Sequence, residues 1–300
     1  MDTPASSGSI VVQDLWKIFS RKSGISFSSS DTENDSLVEQ LDKSDDAVVA
    51  MKGVSFTVKE GETFIIMGLS GSGKSTLIRC LLRLVEPTSG DIIVNGKNVT
   101  AMSESELVAF RRENIAMVFQ HYGLLPHRTV LDNVEFGLKL RGEEKEAYRT
   151  KALGALDMVG LKGWEKYYPA SLSGGMRQRV GIARALVMDA PILLMDEPFS
   201  GLDPLIRREL QDEMIRLQKE MKKTVFFVTH DLSEALRMGD RMAVMKHGEI
   251  VQIGSPDEVI ANPADEYVAR FVQDEREQLE RTEQALAKEK QGKEAAAHVS

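Results

Sequence analysis

A lysine set between glycines and two hydroxyls is the place in this chain where residue types and spacing most clearly imply chemistry. In GLSGSGKST, Gly68, Gly73, Lys74 and Ser75 fill the defining positions of G-x-x-x-x-G-K-[ST]. Glycines let successive backbone N–H groups turn toward phosphate oxygens without Cβ clashes, and a helix starting behind them adds its positive dipole end. Lys74 brings a point charge to the terminal phosphates, and the Ser75 hydroxyl is placed to ligate Mg²⁺. The apolar FIIM before the loop and STLIRCLLRLV after it are the strand and helix that such a cradle requires. Cys80 lies in that apolar helix and reads as packing.

PILLMDEP reads as the second half of a phosphate site. A buried apolar run delivers Asp196 to a strand's C-terminal end, where ligands collect in open α/β sheets. Asp196 is suited to hold Mg²⁺ through water, and Glu197 beside it to accept a proton from an attacking water. In SLSGGMRQRVGIARAL, Ser173 precedes two glycines at the start of a helix, a second anion-binding arrangement. A chain with one phosphate loop does not need another for itself. If a second copy supplies it, each nucleotide is sandwiched between two subunits.

The elements around these motifs alternate. Strands are expected at IVVQDLWKIF, around a turn at Glu60-Gly61, and at DIIVNG, IAMVFQ, PILLMD, TVFFVTH and RMAVMKHGEIVQIG. Helical patterns run over 74–85, 144–159, 177–188, 205–222 and 232–237. Alternation of this kind predicts an α/β domain with a mostly parallel central sheet. Between Gln120 and Pro191 only helical segments are expected, so a helical subdomain over about 121–190 is predicted. Residues 1–9 read as a disordered start. Residues 20–46, rich in Ser and acidic residues, read as a solvated insertion, with one possible helical turn at SLVE. The charged end, 273–300, reads as a frayed surface helix.

Composition bounds the partners. With 38 basic against 46 acidic residues the net charge is −8, which argues against nucleic acid as a main partner. The single Cys80 excludes an internal disulfide or a cysteine-built zinc site and fits a reducing cytoplasm. No apolar run approaches the ~20 residues that span a bilayer, and the start lacks a signal peptide's pattern. His121, His127, His247 and His298 show no mutual spacing that suggests a metal and read as surface or contact residues.

Taken together and in order, these motifs resemble the ATP-binding subunits of ABC transporters over about residues 10–272, with LSGG as the signature. The resemblance implies an α/β P-loop NTPase with a RecA-like core, an antiparallel β subdomain and an inserted helical subdomain. It implies ATP and Mg²⁺ as ligands. Gly68, Ser70, Gly71, Ser72, Gly73, Lys74, Ser75 and Thr76 would grip the phosphates, with Mg²⁺ on Ser75, Gln120 and Asp196. Gln120 would also reach the attacking water, Glu197 would be the base and His230 the switch histidine. Ser173, Gly174 and Gly175 would contact the nucleotide of a second, head-to-tail copy, and SGLD, ending at Asp203, would be the dimer-contact loop. The family places an adenine-stacking aromatic just after the first strand, and LWKIFS offers Phe19, with Trp16 the alternative.

Repair, chromosome and translation members of the family carry long coiled coils or two nucleotide domains, which leaves a separate ATPase docked on a membrane permease at the cytoplasmic face. In importers of this family the segment after the glutamine lies beside the groove that receives a permease helix, so the resemblance implies that Tyr122, Leu124, Leu125, Pro126 and His127 would form an apolar contact there. Val130, Val134 and Phe136 are expected in the core. Strings such as DEPFSGLDPLIRRELQDEM are similar to the quaternary-amine (glycine betaine, proline betaine, choline or carnitine) importers, which also use an extracytoplasmic binding protein. Import of another solute such as methionine, or a lipoprotein-release type of coupling ATPase, stays open as an alternative. The subfamily often carries a C-terminal pair of CBS domains. None is expected here, which puts osmotic regulation by that module in doubt.

Overall fold

Ten strands among the described residues form two sheets. The structure is a computed structural model and describes residues 9–20, 27–32, 41 and 46–277. Residues 1–8 of the expected start at 1–9, most of the 20–46 insertion with its SLVE turn, and the tail beyond 277 lie outside them. The first sheet runs β2 (Ala47–Val58), β1 (Ile10–Ser20), β4 (Ser89–Val94), β5 (Lys97–Asn98), antiparallel throughout. The second runs β10 (Glu249–Gly254), β9 (Arg241–Lys246), β3 (Thr63–Met67), β8 (Thr224–Val228), β7 (Ile192–Asp196), β6 (Ile115–Val118). It is parallel except at its edge, where β10 pairs antiparallel with β9.

The central strands are buried at every position because both faces of the sheet are covered. Side chains on a strand alternate between faces, so TFIIM, ILLMD and TVFFV each feed two cores. Phe64, Ile66, Ile192, Leu194, Phe226 and Val228 join a cluster with the antiparallel sheet and the helix after the phosphate loop, α2 (Lys74–Leu81). Ile65, Met67, Leu193, Met195, Val225 and Phe227 join the helices on the other side. Phe56 of the first sheet stacks on Phe64 at 5.3 Å and on Phe226 at 5.7 Å, so three aromatic rings join the two sheets. Cys80 is buried in α2, and burial pushes its thiol up to about 12. Among the described residues no helix is long and apolar enough to cross a membrane.

Between Val118 and Ile192 the chain is helical: α4 (Val130–Arg141), α5 (Lys145–Met158), a 3₁₀ turn at Pro169–Ser171, and α6 (Gly174–Leu186). The remaining helices are α1 (Ser29–Thr32), α3 (Glu104–Asn114), α7 (Pro204–Met221), α8 (Leu232–Met238), α9 (Pro256–Ala261) and α10 (266–277). Some expectations shift. The strand IAMVFQ ends at Val118, which leaves Gln120 in a loop. RMAVMKHGEIVQIG is two strands around a turn at His247 and Gly248, both at positive φ. The helices α3 and α9 have no counterpart in the sequence reading, although Ser103/Glu106 and Ser255/Glu258 form complete capping boxes. Phe136 is only half-buried, beneath the Arg128 guanidinium, whereas Val130 and Val134 are fully buried.

Asn133 fixes the loop that follows Gln120. It is fully buried on α4, accepts from the Leu125 N–H at 2.7 Å, and donates toward the carbonyls of Leu125, Arg128 and Thr129. Removing it takes the side-chain partner from the half-buried Leu125 N–H and from three carbonyls at once. Asn133→Ala is therefore expected to lower stability by about 1–3 kcal/mol, read as a shift in the urea midpoint. It should also make the 122–129 segment more sensitive to limited proteolysis.

Candidate functional site

The phosphate loop sits where β3 ends, between β9 and β8 and next but one to β7. Gly73, at φ 106°, is the residue before α2 and makes no side-chain cap, so the first N–H groups of the helix are left for another acceptor. The loop is held close to its neighbours. A Cβ on Gly68 would stand 2.3 Å from the Met245 carbonyl, and one on Gly73 would stand 2.5 Å from that of Ala50. Only glycine fits either approach. Gly248 in the β9–β10 turn donates to the Ser72 carbonyl at 3.1 Å, which buttresses the loop from behind.

Lys74 is 6% exposed and donates to the carbonyls of Gly68 at 2.7 Å and Leu69 at 3.0 Å. Burial lowers its pKa, opposed by the charges of Glu197 and Asp196. The Ser75 hydroxyl lies 3.2 Å from Asp196 Oδ1, and burial raises the Asp196 carboxyl. Two hard oxygens this close, beside a buried ammonium, suit a small divalent cation bridging to phosphate. The Ser72 hydroxyl is buried without a hydrogen-bond partner. An orphaned donor, an unfilled helix N-terminus and a desolvated lysine facing one open cleft all fit a polyphosphate.

Glu197 follows β7 in the left-handed region, φ 45°, with its N–H donating to Val228 O at 2.9 Å. That conformation is uncommon for a residue with a Cβ, and it brings the carboxylate into the cleft. Gln120 Nε2 donates to Glu197 Oε2 at 3.1 Å, and His230 Nδ1 lies 3.4 Å from the same oxygen. The contact with His230 lowers the Glu197 pKa and raises that of His230.

One cleft of about 1060 Å³ is lined by Phe19, Gly68, Ser70, Gly71, Gly73, Lys74, Ser75, Thr76, Gln120, Glu197 and His230. Ser72 and Asp196 are buried, the former within the loop and the latter against Ser75. Trp16 does not line the cleft: it donates to Asp14 Oδ1 at 3.1 Å and packs with Ile18, Ala47 and Val49. Ser173, Gly174, Gly175 and Asp203 are not among the lining residues. Ser173 caps α6 and Asp203 caps α7, each by accepting a backbone N–H of its own helix. Sequence reading missed Phe271 and Glu275 of α10, which also line the cleft, together with His247. Nothing local in YVARFVQDE signals this, because only tertiary packing brings α10 there.

Fold and cleft define a P-loop nucleotide-binding α/β protein. The family model for ABC transporters matches residues 51–200. The chain is 54% identical over 236 residues to the glycine betaine transport ATP-binding protein OpuAA of Bacillus subtilis, covering 79% of this chain and 56% of that one. It is 51% identical over 265 residues to the glycine betaine/carnitine transport ATP-binding protein GbuA of Listeria monocytogenes, covering 88% and 66%. The chain thus spans between about half and two thirds of the length of these curated relatives. The dimeric structure of the ATP-binding cassette MJ0796 in a post-hydrolysis state, bound to ADP and Pi, superposes with a TM-score of 0.70 at 33% identity, covering 82% of this chain and 98% of that one. The chain belongs to the ABC transporter family, as one of its ATP-binding cassettes.

The Glu197–His230 contact has a definite pH signature. The raised His230 pKa means that its share of stability is full below the unfolded value, 6.5, and is lost as pH rises through the folded value. The lowered Glu197 pKa means that its share is present above 4.5 and is lost as pH falls through the folded value. The contact therefore contributes most between those two values. A titration of the His230 imidazole by NMR in the nucleotide-free protein is expected to have its midpoint above 6.5, and Glu197→Gln should move that midpoint down.

Proposed function

We propose that this chain is the ATP-hydrolysing subunit of an importer for a small quaternary amine such as glycine betaine, proline betaine, choline or carnitine. The observation that carries the hydrolytic part is the convergence of Gln120 and His230 on one oxygen of Glu197, beside Lys74. The names of the relatives at 54% and 51% identity support the substrate class.

In this reading the loop N–H groups and Lys74 hold the phosphates, and Phe19 stacks on adenine. Ser75, Asp196 and Gln120 hold Mg²⁺, which when bound neutralises phosphate charge. Glu197 takes the proton of the attacking water while Gln120 and His230 orient it. Ser173, Gly174, Gly175 and Asp203 point to a second copy, because they do not line their own cleft yet belong to signature segments. Two chains closing head-to-tail would each complete the other's site. ATP-driven closure and hydrolysis-driven opening would then move a separate permease, at the cytoplasmic face of the membrane, that receives substrate from an extracytoplasmic binding protein. The permease contact would be at Tyr122, Leu124, Leu125, Pro126 and His127. Pro126 and His127 are exposed, and Tyr122, Leu124 and Leu125 are half-buried.

Glu197→Gln should retain ATP binding, abolish steady-state hydrolysis and favour the dimer. Hydrolysis near wild type would sink the base assignment. In proteoliposomes containing the whole complex, ATP-dependent uptake of glycine betaine, choline or carnitine is expected, and uptake of methionine alone would overturn the substrate class. Leu125→Asp should weaken transport or assembly with the permease while sparing nucleotide binding.

A further inference from the structure

The two residues flanking His230 are both tied, through side chains, to the helix that starts at the SGLD segment. Asp231 Oδ2 accepts from Arg207 Nη1 of α7 at 2.8 Å. Thr229, 2% exposed, donates its hydroxyl to Glu234 Oε2, and Glu234 Oε1 accepts from Gln211 Nε2 of α7 at 3.3 Å. Arg207 and Gln211 stand one helical turn apart, on one face of α7.

The orientation of the Gln211 amide is fixed by its other partner. Arg237 Nη1 donates to Gln211 Oε1 at 2.6 Å, so the Gln211 amide must turn its NH₂ toward Glu234. The Thr229 oxygen accepts from the Asp231 N–H at 3.0 Å, and its hydroxyl lies against Glu234 Oε2. Each carboxyl oxygen of Glu234 thus has one neighbour, Gln211 at Oε1 and Thr229 at Oε2. Its position is costly. Glu234 is 3% exposed, and burial pushes its carboxyl up to about 7, with Asp231 adding to the rise and Arg207 and His230 opposing it. An apolar residue would sit in α8 without that cost, so the carboxylate is held there for what it joins.

We propose that Glu234 is a positioning residue of the hydrolytic site, whose buried carboxylate locks residues 229–231 to α7 and so holds His230 against Glu197. The proposal rests on the hydrolytic reading of His230. It makes the N-terminal turn of α7, capped by Asp203, and the His230 loop a single mechanical unit.

The test is steady-state ATP hydrolysis by the full chain in its transporter complex. Glu234→Ala should lower kcat about tenfold to a hundredfold, as small misplacements of a reacting group do, with KM for ATP within about twofold of wild type. Glu234→Gln keeps an acceptor for one of the two donors and should recover part of the loss. Gln211→Ala should lower kcat in the same direction, and the double variant with Glu234→Ala should be little worse than Glu234→Ala alone. The His230 imidazole resonances should shift in Glu234→Ala. An unchanged kcat would overturn the proposal, as would a fall matched by equal losses in ATP affinity and folded fraction that Glu234→Gln does not repair. His230→Ala separates the two readings. If it leaves hydrolysis intact, the hydrolytic reading fails. If it abolishes hydrolysis while Glu234→Ala does not affect it, only the positioning role fails.

Discussion

A positive charge buried at the start of a helix is the constraint around which this molecule is arranged. The Lys74 ammonium is almost wholly removed from water, and its direct partners are two loop carbonyls. Isolated burial of a charge is strongly unfavourable unless an opposite charge or a set of oriented dipoles compensates. Every element near it contributes some compensation. The loop turns its carbonyls inward, β7 brings Asp196 and Glu197 to the same side, and the fully buried strands beneath keep that geometry from relaxing. The glycines that permit the close approach to Met245 and Ala50 follow from the same demand. A site so built is suited to a polyanion.

Much of this was legible in the sequence, for a physical reason. The phosphate loop is a local object: strand, glycines, lysine and helix are contiguous, so their spacing alone defines them. The buried strands were legible because runs such as TVFFV are short, β-branched and aromatic, and bounded by polar residues, which favours a strand covered on both faces over a buried helix. Other features were not legible. The helix α3 buries only Leu107 and Phe110, so its apolar period is weak and its capping box alone had to announce it. Phe271 and Glu275 reach the cleft from the far end of the described chain, and the Glu234 network joins residues more than twenty positions apart. Such contacts are set by packing, which no spacing rule encodes.

The site residues fall into two groups that the chain keeps apart. One group converges in the cleft, and the other caps α6 and α7 without entering it. Between them runs the segment after Gln120. Tyr122, at φ 60°, presents its carbonyl to Arg184 of α6 at 2.9 Å, with Arg177 over its ring. This apolar loop is thus held partly by α6 and partly by Asn133. Its exposed residues are His121, Gly123, Pro126 and His127.

Cys80 has a quieter consequence. It is the chain's sole sulfhydryl, it is buried on the helix that follows the phosphate loop, and burial pushes its thiol up to about 12, which disfavours the reactive thiolate. The native molecule is therefore a spectroscopic blank for thiol chemistry. A fluorophore or spin label attached to an introduced surface cysteine reports on that position alone, and distances between the two faces can be followed without first removing the natural residue.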